Sequence, residues 1–179
     1  MHKAEVKKLL QWATANFPGM QERDMRPTAA LWEKILGDLS YDVAETALIK
    51  VLATAKFFPT VAEIREAAVA VNAPQGLTAA EAWGIVIKSI KDYGYYREAE
   101  ALQSMPEAVA QVVRWMGWQE LCHSDNVDVI RGQFLKMYEA ETKRHQDFAV
   151  LPPAVRDFIS DAAKTLKLID AKEAPESEN

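Results

Sequence analysis

A single cysteine, Cys122, leaves this chain of 179 residues without a partner for an intramolecular disulfide. No apolar run approaches the roughly 20 residues needed to cross a bilayer. The opening MHKAEVKKLL also lacks the long apolar core and small-residue cleavage site of a secretory leader, so a cytoplasmic chain with no membrane partner is expected. No G-x4-G-K-[ST] loop is present, which excludes a nucleotide-hydrolysing protein of that type. Histidine is scarce: Cys122 and His123 are adjacent, but His2 and His145 are remote, and no spacing assembles four zinc ligands. Neither metal nor cofactor is expected. A basic excess is missing too, since 21 Lys and Arg face 26 Asp and Glu for a net charge of -5. Without a general basic field, direct binding to a nucleic-acid backbone should be weak or absent. Period-two alternation is absent throughout, which argues against β-structure.

What remains is helical patterning on a chain that is 49% hydrophobic and 26% charged, enough for a core and a solvated surface. Val6, Leu9, Leu10 and Ala13 mark a first helical face, stopped near Phe17-Pro18-Gly19. Pro27 suits an early helical position, and Leu31, Trp32, Ile35, Leu36 and Leu39 follow as an apolar stripe. Ser40 is placed to cap the next helix, with Asp42 in its first turn and Val43, Ala47, Leu48, Val51 and Leu52 on its face. Pro59 disfavours helix at Phe58 and cannot donate a hydrogen bond, so the chain must turn at Phe57-Phe58-Pro59. Thr60 and Glu63 have capping-box spacing and start a helix carrying Val61, Ile64, Ala67, Ala68 and Val71. A helical hairpin follows, with Phe57 or Phe58 as its buried corner.

Residues 73–77 have linker chemistry and separate an N-terminal four-helix unit, 1–72, from a second helical domain, 78–169. In the second part, Thr78 and Glu81 form another capping box before Ala82, Trp83, Val86, Ile87 and Ile90, and Tyr93-Gly94 ends that helix. Ser104 with Glu107, and Pro106 beside them, should open a helix through Val109, Val112, Val113 and Met116, ended by Gly117. A short turn follows at Trp118–Cys122. Asn126 can cap a long helix carrying Val129, Ile130, Phe134, Met137 and Tyr138, and Leu151-Pro152-Pro153 breaks the chain before Val155, Phe158, Ile159, Ala162 and Leu166. Residues 170–179 should form a short flexible tail. The fold expected is all-α.

No constellation supports catalysis. Cys122 lacks an evident base, and the carboxylate pairs Glu139/Glu141 and Asp125/Asp128 sit among other charges on a solvated face. The chain is expected not to be an enzyme. Aromatic and basic residues offer partner surfaces instead. Trp12, Trp32 and Trp83 fall on apolar stripes and are assigned to core, whereas Trp115 and Trp118 flank Gly117 and are candidate interface anchors. Tyr93, Tyr95, Tyr96 and Arg97, with Lys88 and Lys91, either stack on single-stranded nucleic acid or form a packed tyrosine turn. Arg131, Lys136, Lys143 and Arg144 form a second basic set, which Asp128, Glu139 and Glu141 can neutralise along the same helix.

Three segments share a recognisable order: Trp32, Leu36 and Asp38; Tyr41, Ala44 and Ala47; then Phe58, Pro59, Thr60, Ala62, Glu63, Ile64 and Arg65. This W-x3-L-x-D, Y-x2-A-x2-A, F-P-T-x-A-E-I-R succession resembles the phage replicative-helicase loader and inhibitor proteins over residues 25 to 70, with Phe57-Phe58-Pro59 replacing the family's double proline. The resemblance implies a non-enzymatic phage replication adaptor that binds, loads or inhibits a hexameric replicative DNA helicase in its ATP-dependent form. It also implies an origin-binding initiator or single-strand-binding protein as second partner, and helicase contact through the C-terminal domain or tail. Two other readings stay open: a nucleic-acid-binding replisome organiser, and a helical interaction module outside replication.

Overall fold

The computed structural model describes residues 1–72, 76–123 and 125–173, and among these it is all-α. Ten α-helices run in order among the described residues: α1 (Lys3–Asn16), α2 (Arg26–Leu36), α3 (Tyr41–Leu52), α4 (Val61–Asn72), α5 (Ala79–Tyr93), α6 (Glu98–Ser104), α7 (Glu107–Met116), α8 (Trp118–His123), α9 (Val127–Val150) and α10 (Pro153–Glu173). A short 3-10 turn, Pro18–Met20, follows α1. None of the described helices is long and apolar enough to cross a membrane.

The chain divides into two compact units, one of Met1–Ala73 with Phe148–Asn179, the other of Pro74–Asp147. Residues 148–169, which the sequence patterning assigns to the second domain, therefore group with the first. One cause is the hydrogen bond from Arg65 Nε on α4 to the carbonyl of Val150. The linker expected at 73–77 falls largely on residues 73–75, and these lie outside the described residues. α10 runs to Glu173, and the rest of the expected tail, 174–179, also lies outside them.

The first unit buries Val6, Leu9, Leu10 and Ala13 of α1 against Trp32 and Leu36 of α2, Ala44, Ala47 and Leu48 of α3, and Ile64, Ala67 and Ala68 of α4. The α4 capping box is formed: the Thr60 amide donates to Glu63 Oε2 at 2.7 Å, and the Glu63 amide donates to Thr60 Oγ1 at 3.2 Å. Ser40 adopts extended N-cap geometry before α3, but its side chain makes no cap hydrogen bond. Of the two corner candidates, Phe58 is the packed one, with ring centroids 6.0 Å from Phe17 and 6.1 Å from Trp32. Phe57 is 82% exposed. Trp12, expected in the core, lies at the surface with the Lys8 ammonium 5.7 Å from its ring.

The second unit packs Trp83 and Val86 of α5, Val109, Val112 and Val113 of α7, Trp118 and Leu121 of α8, and Ile130, Phe134 and Tyr138 of α9. The Thr78–Glu81 capping box starts α5, and the Asn126 side chain accepts from the Val129 amide at 3.4 Å to start α9. The Ser104–Glu107 cap does not form. Ser104 closes the unforeseen helix α6, where its hydroxyl donates to the Ala101 carbonyl at 2.7 Å, and Pro106 takes the N-cap position of α7. Gly94 and Gly117, at φ 63° and 85°, end α5 and α7 in a region that side chains disfavour.

Candidate functional site

α10 begins where two prolines interrupt the chain. Pro153 needs no amide partner at the first helical position, and the Val155 and Arg156 amides donate to the Pro152 carbonyl at 3.0 and 3.1 Å. Val155, Ile159, Ala162 and Leu166 then recur at alternating spacings of four and three, so they share one narrow face with Phe158 at its edge. Asp157, Asp161 and Lys164 lie away from it, with Lys164 Nζ paired to Asp161 Oδ1 at 3.0 Å. The apolar stripe is open to solvent: Phe158 is 75% exposed, and Val155, Ile159 and Leu166 are exposed as well. A row of exposed apolar side chains on an otherwise polar helix has the form of a protein-docking element.

A second surface lies in the Pro74–Asp147 unit. Trp115, Met116, Leu121, Val129, Ile130 and Met137 contribute to a shallow groove of about 420 Å³. Arg144 lies over the Trp115 ring at 5.2 Å and pairs with the buried carboxylate of Glu141, whose other oxygen is 3.0 Å from His145 Nε2. The fold therefore brings together Trp115 and Arg144, two residues singled out from sequence. It does not bring Trp118 to the surface with them. Trp115 is 46% exposed, whereas Trp118 is 1% exposed and donates its indole N–H to the Gly94 carbonyl at 3.1 Å. The positive φ of Gly117 turns the chain between the two indoles.

Among the other candidates, Arg131 and Lys143 are exposed on α9 and form no ion pair among the described residues, so neutralisation along that helix is confined to Arg144. Tyr95 is half-buried, edge-on to Tyr96 at 5.0 Å and to His123 at 4.6 Å, while Tyr96 is open to solvent. Arg97 donates to the carbonyls of Asp92 and Tyr93 at 2.6 and 3.3 Å and covers the Tyr93 ring. Its charge serves the C-terminus of α5, which favours the packed-turn reading over a free cation for nucleic acid.

Patterning alone did not reveal Arg65 as a buried cation. Only 4% exposed, it donates to both carboxylate oxygens of Asp38, to the Ile35 carbonyl and to the Val150 carbonyl. The one signal in the sequence was that Asp38 and Arg65 both stand in the three-segment succession. Cys122 offers no activated nucleophile, because burial first and the Glu98 charge second push its thiol above the usual range. No group of three or more His, Cys, Asp or Glu side chains among the described residues is arranged to hold a metal ion.

Residues 1–65 match the family model for the N-terminal domain of the phage SPP1 helicase loader. This part of the chain is loader-like. The match takes in α1 to α3 and ends at Arg65 inside α4, so it spans all three segments that carried the resemblance and leaves α5 to α10 outside. Thr60, Glu63 and Ile64 act within the loader-like region as cap and core, and Trp32 and Phe58 as its aromatic centre. No curated protein and no solved structure matches the chain.

Proposed function

We propose that the protein is a non-enzymatic replication adaptor of the host cytoplasm that binds a hexameric replicative helicase and acts on it through binding energy alone. The observation that carries this reading is the loader-domain match over residues 1–65, on a unit whose core and caps contain the motif residues. The solvent-open stripe of α10 supplies the docking element, with Phe158 as its anchor. Trp115 and Arg144 on the other unit form a second contact surface for an origin-bound initiator or a single-strand-binding protein. With no phosphate loop in the sequence, nucleotide energy comes from the helicase. An adaptor that binds one conformation of the hexamer favours it over the rest, so loading and inhibition are two readouts of one preference.

Size-exclusion chromatography with light scattering tests this. The purified chain is mixed with its host's replicative helicase, with and without ATP, in moderate salt. A stoichiometric complex that prefers one nucleotide state is expected. An intact hexamer eluting free of the chain in every nucleotide state refutes the adaptor reading.

A further inference from the structure

Beside Arg65, the unit of Met1–Ala73 with Phe148–Asn179 holds an open cleft of about 330 Å³. Leu39, Ala68, Val69 and Ala149 give it apolar walls, and Asp38, Arg65, Asn72 and Arg156 give it polar groups. The two arginines differ in state. Arg65 is fully engaged, its charge matched by Asp38 and its other donors directed to the Ile35 and Val150 carbonyls. Arg156 has no ion pair among the described residues, and its Nε is the one buried side-chain nitrogen or oxygen among them that lacks a hydrogen-bond partner. A desolvated guanidinium donor without an acceptor is costly, and buried polar groups are almost always satisfied.

We infer that this cleft is a recognition site for a carboxylate side chain of a bound protein partner, with Arg156 as the residue that receives it. Three observations select that ligand. Arg65 and Asp38 cancel, so the cleft keeps one positive charge, which a monovalent carboxylate neutralises and a phosphate dianion overshoots. Arg156 lines the cleft with no carboxylate among the described residues paired to it, so its two terminal Nη groups can take both oxygens of a carboxylate end-on while Nε stays buried. The apolar walls suit the methylenes of an acidic side chain. Arg156 lies on α10 next to Val155 in sequence, so the site can add charge selectivity to docking on the apolar stripe. The inference does not depend on which protein supplies the acid.

The test uses the full chain labelled with ¹⁵N and follows the arginine Nε–Hε resonances, with R156K identifying that of Arg156. The probes are a short blocked oligoglutamate peptide and inorganic phosphate, each compared with chloride at matched ionic strength. Saturable movement of the Arg156 resonance with oligoglutamate is expected, together with a roughly tenfold weaker peptide affinity of R156K by calorimetry, because lysine lacks the planar fork. A stronger saturable response to phosphate overturns the carboxylate assignment. A response to both probes no larger than that to chloride overturns the site. The wild-type titration decides the matter even if R156K loses helicity.

Discussion

Arg65 and Asp38 meet as a two-pronged ion pair, Nη1 to Oδ1 at 2.6 Å and Nη2 to Oδ2 at 3.1 Å, with the arginine side chain buried and the aspartate partly so. The aspartate closes the first segment of the loader-like succession and the arginine closes the third. Their separation of 27 residues is bridged by the α3–α4 hairpin, so the pair locks the α2–α3 corner to α4. A buried arginine left without its carboxylate is strongly penalised. D38N should lower stability by about 3 kcal/mol, and R65K should fall between D38N and wild type because one ammonium cannot reproduce the fork. Urea unfolding followed by circular dichroism measures both; wild-type stability in D38N would show the pair to be dispensable.

The caps of α4 and α5 make an acid-sensitive contribution. Glu63 and Glu81 are held below the usual glutamate range, first by the backbone amides of Thr60 and Thr78 and then by their hydroxyls. A carboxylate favoured in the folded state stabilises above its unfolded-state pKa, and that stability disappears as pH falls through the lowered folded value. Melting temperature measured from neutral to acid pH should therefore fall less steeply in the E63Q/E81Q double variant than in wild type. T60A should cost about 1 kcal/mol at neutral pH through loss of the cap itself.

The two tryptophans around Gly117 should separate cleanly. W118A removes a fully buried indole and should cost about 3 to 5 kcal/mol. W115A removes an exposed ring stacked under Arg144 and should stay within about 0.5 kcal/mol of wild type. Thermal unfolding of the two variants checks this, and equal losses would contradict the placement of Trp118 in the core.

Cys122 should alkylate slowly. Its thiol is raised by burial and by the nearby Glu98 charge, so less thiolate is present at a given pH than in a free cysteine. The iodoacetamide reaction rate at mildly alkaline pH is expected to lie below that of a blocked cysteine peptide; a faster rate would mean an activated thiol.

Helix content was legible because stripes such as Val6, Leu9, Leu10 and Ala13, and stops such as Pro59, are local signals. Helix α6 was not, since its seven residues bury Ala101 alone and show no apolar periodicity. The sites were harder to read. An apolar stripe at helical spacing looks the same whether another helix covers it or not, so Val155, Ile159 and Leu166 on α10 read like Val6, Leu9 and Leu10 on α1, although the first set is exposed and the second buried. Trp12 was misassigned for the same reason. Trp118 and Trp115 were alike in sequence because the residue that separates their fates is a glycine, whose positive φ only the folded chain reveals. The unpaired donor of Arg156 depends on neighbours far away in sequence, contributed by α4 and the α2–α3 corner.

The decisive measurement is the affinity of immobilised replicative helicase hexamer for the full-length chain and for its F158D/L166D variant, in the nucleotide state that binds best. Specific binding by wild type and a loss of roughly tenfold or more in a variant of unchanged helicity is the expected result, since both charges fall on the open stripe of α10. Wild-type binding that the variant retains in full would remove α10 as the docking element, and no wild-type binding in any nucleotide state would contradict the adaptor function itself.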